Sequence, residues 1–332
     1  MLVSNFKTYT PAAIFKIPLL ALLLWAFSAA YHSLHLHSLT IRMPMYASMA
    51  DSLNSYYYLS VFVSCLLSVL SAFLLNYIIN QHNVLPRKTY LPALLYLVYS
   101  AFCGDLLVIH TGSFVNLLII AACHELFDTY RKDSARSECF NAGMLVGLAS
   151  VIFLPAAFLL LFIWAALILF RPFIWQEYLA SFLGLLLPWS YTLVYFFWNN
   201  RLSAFLQGTL RNHLMNKSFH FPTGSSYGWL YLVLGVLVLL SLVRLLNGTV
   251  IPPLKSKKTL SLLFWLLLLS LCSLFMSSEI NIVTLQITAV PMAVFTANLF
   301  IQLKKGWVAE VLFTILLVSI LCVHWSAAMH HG

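Results

Sequence analysis

Leu262-Leu263-Phe264-Trp265-Leu266-Leu267-Leu268-Leu269-Ser270-Leu271-Cys272-Ser273-Leu274-Phe275 decides the fold. Only Ser270 and Ser273 interrupt its apolar run, and polar and apolar residues do not alternate along it. A transmembrane barrel strand points every second side chain into a polar lumen, so alternation is required of it. A helix satisfies its own amides and carbonyls and can be apolar all round in lipid. The stretch therefore predicts a membrane-crossing helix. Composition extends this to the whole chain: of 332 residues, 62% are hydrophobic and 8% charged, against about 25% charged in a soluble domain. So few charges cannot cover a water-facing globule, and a lipid bilayer is the partner that remains. Crossing about 30 Å of hydrocarbon takes ~20 helical residues. Segments near that length recur at 13–31, 56–79, 90–108, 112–128, 139–154, 155–170, 178–198, 228–246, 259–276, 281–303 and 308–325. The fold class expected is all-α: a polytopic helical bundle of about 11 spans.

The distribution of charge gives the bundle a direction. The net charge of +9 is spread over small loop clusters, a pattern of orientation signals that argues against nucleic-acid binding. With the N-terminus inside, cytoplasmic loops receive Lys7, Lys16, Arg87, Lys88, Arg131, Lys132, Arg136, Arg171, Arg244, Lys255, Lys257, Lys258, Lys304 and Lys305, fourteen of the 18 basic residues. Arg42, Arg201, Arg211 and Lys217 fall outside. Cytoplasmic loops carry the excess of lysine and arginine, so the N-terminus is expected in the cytoplasm and the C-terminus in the periplasm of a bacterial inner membrane. Pro155 leaves open whether residues 139–170 are two short spans or one broken helix. A single span would invert every later loop and move the division to 10 against 8, so charge favours the pair. Lys7, Lys16 and the Ser28-Ala29-Ala30 stretch resemble a secretory signal, but the later spans favour an uncleaved first helix. The six cysteines are single, with no CxxC, and read as small hydrophobes.

Charged residues near a bilayer centre need a reason to be there. Asp51, in the first outward loop, and Asp105, after Cys103-Gly104, are the outward acids with most chemical interest. Carboxylates on two loops can act as base and acid, or hold a divalent cation between them. The ordinary alternative is a pair of interfacial acids. His32, His35 and His37 cluster at the first outer boundary, while His82, His110, His124 and His324 are isolated in sequence. Without repeated histidine boxes no metal oxidase and no metal site is expected. Gly143 and Gly147 form a small face for close helix packing. Asn281, Thr284, Gln286, Thr288 and Pro291 make the tenth span polar in its outer half, either for structural hydrogen bonds or to line a cavity. Asn216-Lys217-Ser218 matches a glycosylation sequon, a weak pattern. There is no P-loop, dinucleotide fingerprint, GxSxG or HExxH.

Leu74-Leu75-Asn76-Tyr77-Ile78-Ile79-Asn80-Gln81-His82-Asn83, Thr89-Tyr90-Leu91-Pro92-Ala93, Phe140-Asn141-Ala142-Gly143 through Gly147-Leu148-Ala149-Ser150, and Arg171-Pro172-Phe173-Ile174-Trp175-Gln176-Glu177 together resemble an uncharacterised family of bacterial multi-pass inner-membrane proteins. The sequence of a glycine-rich helix, a Pro155 break, a basic turn at Arg171 and a helix with Gly184 and Pro188-Trp189 is also similar to the middle of GT-C glycosyltransferases. That likeness implies a single integral membrane domain over 1–332, with a seven-helix core at 1–198, an outer loop at 199–227 and four further spans at 228–332. It implies polyprenyl-phosphate-linked sugars as substrates at the periplasmic face, Asp51 and Asp105 as catalytic residues, and Arg42, His110, Arg201 and Arg211 as substrate-binding residues, with a divalent cation as the cofactor such a site would take. Asp51 lacks the acidic neighbour of the GT-C motif, the first outer loop is short and no large soluble domain follows. The expected partners are the lipid bilayer, polyprenyl-phosphate lipid and other envelope proteins. A role in cell-envelope biogenesis stands beside two alternatives, a non-enzymatic scaffold or accessory subunit and a transporter or flippase.

Overall fold

The computed structural model describes residues 2–7, 12–31, 43, 46, 53, 56–210, 218–220, 225–246, 253–275, 279–303 and 305–331. Nearly all of them are helical. The main helices are α1 (Leu2–Lys7), α2 (Ala12–Tyr31), α3 (Tyr57–Gln81), α4 (Leu91–Ser100), α5 (Thr111–Asp128), α6 (Arg136–Ile152), α7 (Leu160–Phe170), α8 (Trp175–Trp198), α9 (Ser225–Leu246), α10 (Leu254–Phe275), α11 (Ala289–Gln302) and α12 (Gly306–His331). A three-residue parallel pair, β1 (Ser218–His220) and β2 (Glu279–Asn281), is the only sheet among the described residues. Among the described residues five helices, α3, α8, α9, α10 and α12, are long and apolar enough to cross a membrane. Only 28% of the apolar window of α8 is buried. Leu179, Phe182, Leu183, Leu186 and Val194 face outward, which a lipid solvent tolerates and water does not.

The segment expected to be one span at 90–108 differs from that expectation. Pro92 opens α4, where a missing N–H removes no helical bond, but the helix stops after Ser100 and all ten of its residues are buried. Residues 101–110 then run irregularly, apart from a 3₁₀ turn at Gly104–Leu106. Buried irregular backbone survives only where the protein supplies its hydrogen bonds. Here it does: Ser64 Oγ donates to the Leu106 carbonyl at 3.4 Å, the Ile109 amide to Ser60 Oγ at 3.1 Å, and His324 Nε2 to the Ala101 carbonyl at 3.0 Å.

Residues 139–170 form an antiparallel pair. Phe153 is extended, and a 3₁₀ stretch, Leu154–Leu159, with Pro155 as its second residue turns the chain into α7. Arg171 thereby returns to the start of α6. Its Nη2 donates to the Asp133 carbonyl at 3.0 Å and pairs with Glu177 Oε1 at 3.2 Å, and that carboxylate accepts from the Ala135 amide at 3.1 Å. The expected small-residue face is real, and α8 is what it meets. A Cβ at Gly143 would collide with the Ser181 carbonyl, and one at Gly147 would lie 2.7 Å from the Leu185 carbonyl. Gly184 makes the reciprocal approach to the Phe140 carbonyl.

Contacts gather the basic segments at one pole of the bundle. The Tyr90 amide donates to the Phe6 carbonyl and the Val3 amide to Glu310. Ser256 Oγ donates to the Asn83 carbonyl at 2.7 Å. Tyr130 packs on Phe170, with Lys255 over the Tyr130 ring. Together with Arg171, these contacts join α1, the α3–α4, α5–α6 and α7–α8 connections and the starts of α10 and α12. The loop after α3 is itself closed by Asn80, whose side-chain amide donates to the Thr89 carbonyl at 3.0 Å and accepts from the Thr89 amide at 3.2 Å.

Candidate functional site

At the opposite pole, the irregular 101–110 segment is clasped from two sides. Ile109 donates its amide to Ser60 at the start of α3, and its carbonyl accepts from Tyr46 Oη of the first loop at 3.1 Å. Tyr46 also packs edge-on against Phe114, ring centroids 6.4 Å apart. His110 follows, buried. Its Nδ1 lies 2.8 Å from the Val108 carbonyl and its Nε2 meets the Gln286 side chain. A carbonyl only accepts, so Nδ1 carries the proton and Nε2 of the neutral ring accepts. The Gln286 amide satisfies that nitrogen by presenting its NH₂. Burial pushes the His110 pKa down to about 4, outweighing the Val108 hydrogen bond, which favours the charged ring. Asn116 Nδ2 donates to the Gln286 carbonyl at 3.0 Å. Gly112 lets these groups meet, since a Cβ there would lie 2.9 Å from the end of the Gln286 amide and 3.2 Å from the His110 ring.

Asp51, Arg42 and Arg211 lie outside the described residues, as do His32, His35, His37 and the Asn216 sequon. The Asp105 backbone sits in the Gly104–Leu106 turn, while its side chain is outside the description. Tyr46 and Ser60 bracket Asp51 in sequence, and both hold Ile109. Both contacts fall on the segment that carries Asp105. His110 engages Val108 with one ring nitrogen and Gln286 with the other. Arg201 is exposed just beyond α8, where Phe196 stacks on Phe205 at 4.4 Å, and no hydrogen bond among the described residues joins it to His110. The polar tenth segment supplies both roles foreseen for it. Gln286 makes structural hydrogen bonds, and Leu285, Thr288, Ala289 and Met292 line a cavity of about 50 Å³ with Tyr99, Phe102, Tyr231 and Leu234.

The basic pole holds a second cluster. His82 caps α3, and His124 and Asp128 lie one turn apart at the end of α5. His82 Nε2 is 3.3 Å from His124 Nδ1 and 3.8 Å from Asp128 Oδ1, and His124 Nε2 is 4.0 Å from Asp128 Oδ2. Lys255 Nζ approaches the other nitrogen, His82 Nδ1, at 3.4 Å. Burial, with Lys255 and His124 nearby, pushes the His82 pKa down to about 4 against the pull of Asp128. A consistent set of protons runs one way, from Lys255 to His82 Nδ1, from His82 Nε2 to His124 Nδ1, and from His124 Nε2 toward Asp128. Arg131, Lys255 and Lys258 all lie near the Tyr130 ring, at 5.4, 5.8 and 5.8 Å from its centroid. Among the described residues, His82, His124 and Asp128 form a group that could hold a metal ion. Their separations in sequence, 42 residues from His82 to His124 and 173 from His82 to Lys255, hide the cluster. The single local clue is the i, i+4 spacing of His124 and Asp128.

No curated protein and no solved structure matches the chain. A family model described as "Family of unknown function (DUF6427)" matches residues 32–331. With almost the whole length matched, the chain belongs to the DUF6427 family.

Proposed function

We propose that the chain is a multi-pass protein of the bacterial inner membrane, N-terminus cytoplasmic, that handles polyprenyl-phosphate-linked sugars at its periplasmic pole with a GT-C-like core. The observation that carries this is the clasp of Tyr46 and Ser60, which bracket Asp51 in sequence, on Ile109 of the Asp105 segment. Two acids on adjoining loops suit transfer from a phosphate leaving group. Asp51 would take the proton of the acceptor hydroxyl. Asp105, with a divalent cation, would offset the charge of the departing phosphate, and Arg42, Arg201 or Arg211 would clamp it. A second reading, a non-enzymatic scaffold or accessory subunit, is favoured by His110, whose two ring nitrogens are both engaged within the protein.

The test is a deletion strain complemented with native, Asp51→Asn and Asp105→Asn chains. Lipid extracts are assayed for accumulated sugar-linked intermediates. Either variant is expected to fail to restore the native profile at normal protein level. Full complementation by both would remove the enzyme reading and leave the scaffold.

A further inference from the structure

We propose that His82, His124 and Asp128 bind one divalent transition-metal ion of the zinc type at the basic pole. Their ligand atoms all lie within 4.8 Å of one another. Zinc bonds of 2.0–2.1 Å in tetrahedral geometry set neighbouring ligand atoms about 3.3 Å apart. The two imidazoles already stand 3.3 Å apart, and His82 Nε2 is 3.8 Å from the carboxylate. Small side-chain rotations close the remainder. The backbone is prepared for this. His124 and Asp128 share one face of α5, and His82 is held at the end of α3 with its ring edge-on to Phe127, centroids 5.5 Å apart. Two imidazoles and a carboxylate suit zinc and its neighbours, whereas magnesium and calcium seek oxygen. Asp128 is 39% exposed, so the fourth position faces outward and takes an exchangeable ligand.

Lys255 makes the site conditional. An ion on His82 Nε2 leaves the ring proton on Nδ1, which then opposes the Lys255 ammonium now 3.4 Å away. Ion and ammonium therefore compete for one imidazole. The Tyr130 ring face, already 5.8 Å from Lys255 Nζ, is where the displaced cation settles. This inference is independent of any chemistry at the other pole.

The full chain without an affinity tag is purified in detergent, stripped with chelator and titrated with Zn²⁺ by calorimetry and Co²⁺ by visible absorption. One ion per chain with a tetrahedral cobalt spectrum is expected. His124→Ala and Asp128→Asn should each weaken binding by about 100-fold or more, the upper range for lost supporting groups being about 100-fold. Asp128 is partly exposed, and the melting curve of its variant checks that the fold is kept. Lys255→Met should tighten binding roughly tenfold by removing a like charge. Replacing His330 and His331 by alanine should change nothing. Native protein that binds no ion, binding unaltered in both ligand variants, binding lost with His330 and His331, or weaker binding in Lys255→Met would each overturn the proposal.

Discussion

His110 is neutral because its surroundings cannot solvate a charge, and this carries a consequence in pH. Its ordinary pKa of 6.5 falls to about 4 in the folded chain. Between those values the unfolded chain takes a proton and the folded chain does not, so stability is intact above pH 6.5 and is lost as pH falls toward 4. At pH 5 the loss is about 2 kcal/mol. Thermal unfolding in detergent should therefore show a lower melting temperature at pH 5 than at pH 7, with the difference reduced in His110→Gln. An equal difference in that variant would assign the dependence elsewhere. Both partners of this pair stood out in the sequence, His110 as an outward histidine and Gln286 in an oddly polar segment. Their pairing did not, because 176 residues separate them and no local pattern encodes a contact at that distance. His82, His124 and Asp128 were equally invisible as a set, since each one alone looks like an interfacial residue.

The α6–α8 contact shows what was legible among the elements. Gly143 and Gly147 announced a close-packing face on their own helix, whereas Gly184, on the partner, is explained only by the contact itself. Gly143→Ala would drive a methyl group into the Ser181 carbonyl, a backbone atom that cannot turn away. The expected cost is about 1–3 kcal/mol. Gly235 in α9 has nothing within 4 Å of its Cβ position, so Gly235→Ala should be neutral or stabilising by up to about 1 kcal/mol. Denaturant titrations of the two purified variants give the comparison, and equal effects would mean that helix propensity alone is at work. The reversal at Pro155 agrees with the pair that the charge count favours over one broken helix. The early end of α4 was not foreseen. Apart from Gly104 and Asp105 its sequence remains apolar through Val108, and the irregular backbone depends on partners from Tyr46, Ser60, Ser64 and His324.

For the molecule as a whole, the charge asymmetry and the contacts describe one division. Most of the segments assigned to the cytoplasm by lysine and arginine are bonded together at the basic pole. Single-cysteine labelling in intact cells tests which way that pole faces, after replacement of the exposed Cys272 and Cys322. A cysteine at Lys132 should resist a membrane-impermeant reagent, and one at Asn199 should react; the reverse result would invert the assignment and remove the basis for a periplasmic site. α4 gives the architecture a further consequence, for biogenesis. A ten-residue helix with a ragged tail is a poor candidate for release into lipid as it leaves the ribosome, because its bare carbonyls would find no donors there. One of those carbonyls, on Ala101, waits for His324, 223 residues further on. The middle of the protein is thus completed by a helix made long after it, and a chain halted before that helix leaves an early segment without its final donor.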